Sequence, residues 1–152
     1  MNKLVLLSFI LIGTLAGCSW FGSDTKTKVA QLKVVNVLEL EQYQDCHIKG
    51  SIHVPFDKLE QFANGLNPDT ELVFYCSNYR CTASGYAAKM FAKLGFKHAL
   101  AYEAGVAEWF QTGLPVEGPC RASYLQIKMD PIPAETGVSV ISTSELKAKL
   151  GY

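Results

Sequence analysis

Glu71-Leu72-Val73-Phe74-Tyr75-Cys76-Ser77-Asn78-Tyr79-Arg80-Cys81-Thr82 is the stretch on which the reading of this chain turns. Its first five residues form a short apolar run of the kind that makes a central strand covered on both faces. Residues 83–94 follow with Ala87, Met90, Phe91 and Leu94 at helical spacing, and Gly95 supplies the stop. Cys76 therefore closes a strand a few residues before a helix opens. A loop at such a junction turns backbone N–H groups inward, and the positive end of the helix dipole adds to them. That surrounding favours an anion, so Cys76 is expected to be a nucleophilic thiol of lowered pKa.

Outward from this loop the pattern alternates. Lys33-Val34-Val35-Asn36-Val37 is a β-branched run that predicts a buried strand, and Ser51-Ile52-His53-Val54 before Pro55 predicts a shorter one. A helical turn is expected over residues 57–62 and a loop at Asn67-Pro68-Asp69. Residues 98–102 predict another strand. Residues 104–112 predict a helix with Val106, Trp109 and Phe110 on its apolar side, ended by Gly113. Strand and helix at this spacing argue for a parallel α/β sheet with helices on both faces. The length of 152 residues allows one such domain. With 49% hydrophobic and 18% charged residues the chain is neither disordered nor a charged helical repeat. Its 14 basic and 14 acidic side chains cancel, which argues against a nucleic-acid partner.

Three segments in order carry a family resemblance. Cys46-His47-Ile48-Lys49-Gly50-Ser51-Ile52-His53-Val54-Pro55 resembles the "GHIxGAxxxP" segment of rhodanese-like sulfurtransferases. The strand ending in Cys76 resembles their active-loop strand. Tyr102-Glu103-Ala104-Gly105-Val106-Ala107-Glu108-Trp109, with Gly113-Leu114-Pro115-Val116 after it, resembles their "GGxxxW…GxPv" ending. The resemblance covers residues 33–118. It implies a persulfide mechanism: the Cys76 thiolate takes the outer sulfur of a donor such as thiosulfate, the N–H groups of residues 77–82 hold it, and a thiol or cyanide acceptor removes it. No cofactor is implied.

The departures from that family pattern are informative. Ser77 and Tyr79 stand where the common loop has Arg and Gly, which weakens the case for thiosulfate; Arg80 is the cation left to compensate. Asn36 and Leu38 replace an Asp and an Arg, and Ala104 replaces the first Gly of its pair. Cys81, five residues after Cys76, has two readings that stay open: a resolving thiol that closes a disulfide with Cys76, or a small residue packed under the loop. Tyr79 either walls the pocket or meets a partner, or simply packs. The related cell-cycle phosphatases need Cys-x5-Arg, and Thr82 stands where that Arg would be, so the phosphate clamp is missing. His47 and His53 lack zinc-ligand spacing, and no metal is expected; His47 is read as a turn cap. A Cys46–Cys120 disulfide is left open but not expected, because pairing demands a close approach that the sequence does not imply.

The two ends complete the reading. Residues 1–3 carry Lys3, residues 4–12 are apolar except for Ser8, and Leu15-Ala16-Gly17-Cys18 resembles the lipobox of bacterial lipoproteins. Residues 1–17 are therefore read as a signal peptide, Cys18 as the lipidated residue and residues 18–32 as a tether. That places the domain outside the cytoplasm, and Ser19 suggests the periplasmic face of an outer membrane. At the other end Gly137-Val138-Ser139-Val140-Ile141 predicts a strand, and Ser142-Thr143-Ser144-Glu145 a capping box that opens a helix with Leu146 and Leu150. Rhodanese-like domains usually begin with a strand and short helix that are missing before Lys33. The resemblance thus implies a circular permutation, with residues 138–152 filling that place and residues 119–137 as the linker. The leading function is sulfur transfer through Cys76. The alternatives are a thiol–disulfide enzyme using Cys76 and Cys81, with a thioredoxin-like protein as a partner, and a non-catalytic binding module.

Overall fold

The computed structural model describes residues 31–152. The signal peptide of residues 1–17, the lipidation residue Cys18 and all but the last two residues of the tether lie outside the described residues.

In chain order the elements are β1 (Lys33–Asn36), α1 (Leu40–Asp45), β2 (His47–Ile48), β3 (Ile52–His53), a 3-10 turn at Phe56–Lys58 running into α2 (Leu59–Ala63), β4 (Leu72–Tyr75), α3 (Ala83–Lys93), β5 (Ala99–Tyr102), α4 (Gly105–Gln111), β6 (Val116–Glu117), a 3-10 turn at Ser123–Gln126, and α5 (Thr143–Leu150). Four strands form a parallel sheet in the order β3-β1-β4-β5. Each predicted strand and helix within residues 33–112 is present, the strands and the two longer helices trimmed by a residue or two and the helical turn expected at 57–62 extended by one residue at each end. All four residues of β4 are buried, as a central parallel strand requires.

Alternation along the strands sends side chains to two cores. On one face Val35 and Phe74 pack with Leu59, Ala87 and Phe91 of α2 and α3. On the other, Val34 and Val73 pack with Ile48, Trp109, Leu125 and Leu146. The second core draws on the C-terminal segment. The strand predicted for residues 137–141 is reduced to a single parallel bridge, Val140 beside Ala101. Ala101 N–H donates to Ser139 O at 2.8 Å and Ile141 N–H to Ala101 O at 3.0 Å. Just before the bridge the chain is in a turn, with Val138 N–H on Glu135 O. The capping box is present as predicted: Ser142 accepts from Glu145 N–H, and the Glu145 carboxylate accepts from Ser142 N–H. Leu146 is fully buried.

Two features went beyond the sequence reading. The antiparallel pair β2–β6 sets His47 opposite Glu117, and this brings residue 120 back to the end of α1. Cys46 and Cys120 are consequently disulfide-bonded, with Cα atoms 4.6 Å apart across 74 residues of sequence, contrary to expectation. Gly118 makes the approach feasible, since a Cβ there would lie 2.3 Å from Asp45 O. The Asp45 carboxylate accepts from the N–H groups of Arg121 and Ala122. Residues 119–137 are therefore more than a linker: they begin at a covalent anchor and bury Leu125 against α4.

Deleting residues 134–152 would strip Leu146, Ile141 and the bridge to Ala101 from the second core. Burial lost on this scale costs several times the roughly 2–5 kcal/mol of one large-to-small core substitution, so thermal melts should show loss of cooperative unfolding. An unchanged melting temperature would contradict this account of the core.

Candidate functional site

The site starts from the end of β4. Tyr75 is locked there by its hydroxyl, which lies 2.8 Å from Ser51 Oγ and accepts from Ile48 N–H. Cys76 follows and is fully buried. The chain then turns through Ser77 to Thr82 into α3. Asn78 organises the turn: its side-chain oxygen accepts from Arg80 N–H at 3.0 Å and its carbonyl from Cys81 N–H at 2.9 Å. Arg80 itself is exposed. The first turn of α4 clamps the loop from the other side, with Val106 N–H on Cys76 O and Ala107 N–H on Ser77 O, both at 3.0 Å. Gly105 is required for that contact. Its φ is +65°, and a Cβ would lie 2.5 Å from the carbonyl carbon of Ser77.

The loop brings the two cysteines together. Cys76 Sγ–H donates to Cys81 O at 3.0 Å and lies 3.6 Å from Ser84 Oγ. Both thiols are free. Around the Cys81 sulfur stand the Cys76 thiol, the N–H groups of Ala83 and Ser77, and the Ser77 hydroxyl. With the Cys76 thiol as the largest contributor, its pKa is drawn down to about 6. Cys76 moves the other way, pushed well up first by its hydrogen bond with Cys81 and then by burial. The expectation of a lowered pKa at Cys76 is thus corrected. Of the two neighbours the less buried Cys81 is the one drawn down and the more buried Cys76 the one pushed up. The expected cradle of residues 77–82 is also revised. The N–H groups of Arg80 and Cys81 are spent on Asn78, and those nearest the sulfurs belong to Ser77, Ala83 and Ser84.

Tyr79 does not stand free at the loop tip. Its hydroxyl donates to Glu108 Oε2 at 2.9 Å, and burial followed by that carboxylate pushes its pKa up to about 12. Clefts open on either side of it, one lined by Ala107, Gln111 and Ile127 and the other by Glu103, Ile132 and Val140. Tyr124, from the segment after the disulfide, has a buried hydroxyl with no hydrogen-bond partner. Thr82 is exposed. The two histidines are structural: His47 Nδ1 lies 2.8 Å from Tyr43 O, as a turn cap should, and His53 Nε2 lies 2.7 Å from Leu38 O. Asn36 Oδ1 accepts from Leu38 N–H, so this departure from the family pattern still ties down the end of β1. Among the described residues no group of three His, Cys, Asp or Glu side chains is arranged for a metal.

Ser84, Glu108 and Thr143 belong to the site's surroundings and were not singled out in the sequence. Glu108 lies within a quoted motif, but nothing in its spacing signals a partner 29 residues away on the loop.

A cysteine pair in the strand-to-helix loop of a parallel α/β domain defines a thiol-chemistry site. The sequence profile described as the Rhodanese-like domain matches residues 23–112, more than half of the chain, and the chain belongs to that family. A Bacillus subtilis protein named "Putative sulfur carrier protein YrkF" is 35% identical over 78 residues, 51% of this chain and 41% of that protein. An HTH-type transcriptional regulator of Mycobacterium tuberculosis is 28% identical over 92 residues, 60% of this chain and 40% of its own length. The chain spans about two fifths of the length of these curated relatives. Among solved structures, the BH2092 protein of Bacillus halodurans is 31% identical and superposes with a TM-score of 0.54 over 64% of this chain and 71% of its own.

The thiol assignment has a direct readout. Alkylation of the reduced protein by a neutral reagent, followed across pH and mapped by peptide mass, should label Cys81 with a midpoint near pH 6. Cys76 should stay unlabelled at neutral pH. Replacing Cys76 by Ala removes the neighbour that lowers Cys81 most and should raise that midpoint; a fall, or, in the unsubstituted protein, preferential labelling of Cys76, would contradict the assignment.

Proposed function

We propose that the protein is a sulfurtransferase that carries sulfane sulfur on Cys76. The observation that carries this reading is the position of Cys76, at the end of the central strand of a rhodanese-like domain with the hydroxyl and N–H of Ser84 at its sulfur. The Cys81 thiolate serves as the base: it takes the Cys76 proton as the donor arrives. The Cys76 thiolate then attacks the outer sulfur of thiosulfate, the S–S bond breaks, and sulfite leaves with the bonding pair, leaving Cys76–S–S⁻. An acceptor thiol or cyanide attacks that outer sulfur, takes it away, and returns the electron pair to Cys76 Sγ. The relative named as a sulfur carrier supports the same class of chemistry.

The second reading is thiol–disulfide exchange, favoured by one observation, the thiolate on Cys81 beside Cys76. Attack by Cys81 on the inner sulfur of the persulfide would form a Cys76–Cys81 disulfide and expel hydrosulfide. A thioredoxin-like thiol protein would then be needed to reduce it.

Two further parts of the reading concern placement. Residues 138–152 supply the second core with a parallel bridge and a capped helix, which supports a circularly permuted domain. The Cys46–Cys120 disulfide supports an oxidising, extracytoplasmic setting, and with the lipobox-like Leu15-Ala16-Gly17-Cys18 it supports a lipid anchor on Cys18 at the periplasmic face of an outer membrane. Incorporation of labelled fatty acid that disappears in Cys18→Ala is the check on that anchor.

The test of function is anaerobic incubation of the reduced domain with thiosulfate, and separately with a small-molecule persulfide, followed by intact mass. One added sulfur atom that is lost on adding cyanide, and absent in Cys76→Ser, is the expected result. A loss of two hydrogens requiring both Cys76 and Cys81, with no sulfur gained, would shift the assignment to thiol–disulfide exchange.

A further inference from the structure

The cysteine loop is tied to the C-terminal helix by a chain of hydroxyls that meets at one carboxylate. Tyr79 OH donates to Glu108 Oε2 at 2.9 Å. The Thr143 hydroxyl donates to Glu108 Oε1. The Tyr102 hydroxyl lies 2.9 Å from Thr143 Oγ1, and since Thr143 spends its proton on Glu108, Tyr102 is the donor there. Both oxygens of Glu108 are thus engaged, one by the loop and one by the first residue of α5. Thr143 lies outside the stretch that matches the family profile, so the tie joins the family's loop to the segment this chain adds.

We propose that Thr143 and Glu108 act as positioning residues which, through Tyr79, let the C-terminal helix hold the loop in the shape that sets Cys81 against the Cys76 thiol. Tyr79 lies midway along the loop between Cys76 and Cys81, whose carbonyl accepts from the Cys76 thiol at 3.0 Å. The backbone of residues 76 and 77 is already clamped by α4. Residues 78–80 have only the Asn78 turn within the loop to order them, and the Tyr79 side chain supplies their anchor to the rest of the fold. A half-buried carboxylate that accepts two hydroxyls is a stiff anchor, because hydrogen bonds to a charged group are the stronger kind. The proposal rests on the reading that this loop carries the reactive thiols, but it does not depend on which sulfur donor is used.

The test separates positioning from charge by its sign. Glu108 is an anion near the loop, so if it acted only through its charge, removing it would favour the thiolate and lower the Cys81 midpoint. If it holds the loop, removing it lets Cys81 drift from Cys76, the neighbour that lowers it most, and raises the midpoint. The other ionisable groups facing the cysteine pair and Tyr79 are Glu103 beside α4, Tyr102 on β5 and Tyr124 after the disulfide; they stay in place throughout.

The experiment is the alkylation pH profile of the reduced protein in Glu108→Ala, Tyr79→Phe and Thr143→Val, with Thr143→Ser as the conservative control and thermal melts alongside. All three disruptive variants should raise the Cys81 midpoint by about half a pH unit or more, roughly a threefold loss of thiolate fraction below the midpoint. Thr143→Ser keeps the hydroxyl and should restore the wild-type profile. Tyr79→Phe and Thr143→Val leave the charge of Glu108 untouched, so they remain decisive if Glu108→Ala folds poorly. A lowered midpoint in Glu108→Ala, or profiles unmoved while melting temperatures fall, would overturn the proposal. A protein that takes up no sulfur from thiosulfate or a persulfide, yet shows the raised midpoints, would defeat the sulfurtransferase reading and leave the positioning role intact.

Discussion

The cysteine loop keeps its shape because a helix lies directly on it, and the helix lies there because residue 105 has no side chain. The N–H groups of Val106 and Ala107 reach the carbonyls of Cys76 and Ser77, with Gly105 in a left-handed conformation too close to Ser77 for any Cβ. This contact satisfies two carbonyls that would otherwise be stranded at the end of a buried strand. The parallel sheet brings β4 to the loop, α3 supplies Ala83 and Ser84, and α4 closes it. Each of the three elements contributes a different part of one small pocket.

The two thiols there are pushed in opposite directions. Cys76, fully buried, is raised by Cys81 and by burial, while the less buried Cys81 is drawn down. The arrangement gives Cys76 a base within reach and spares it the cost of an isolated buried thiolate. It also supplies a neighbour able to close a disulfide on Cys76. One geometry therefore accommodates both sulfur transfer and thiol–disulfide exchange.

Much of this was legible in the sequence, for identifiable physical reasons. The strand of residues 71–75 was readable because a strand buried on both faces must be apolar throughout. The box Ser142 to Glu145 was readable because capping is a local interaction over four residues. The Cys76–Cys81 proximity followed from a short loop. What could not be read depended on contacts distant in sequence. The Cys46–Cys120 bond requires the two-residue pair β2–β6, too short to announce itself. The role of Glu108 depends on Tyr79, 29 residues before it, and on Thr143, 35 residues after it. The opposite shifts of Cys76 and Cys81 reflect their unequal burial and their contact with each other, a matter of loop geometry that the order of elements does not specify.

The account stands or falls on where a sulfur atom rests. Rapid quenching of the reduced domain after mixing with a donor isotopically labelled in its outer sulfur, with peptide mapping under conditions that preserve persulfides, would locate it. The label is predicted on the Cys76 peptide at the earliest times, with Cys81 unmodified. Label found first on Cys81, or a Cys76–Cys81 disulfide formed without any labelled persulfide before it, would contradict the claim that Cys76 is the sulfur carrier.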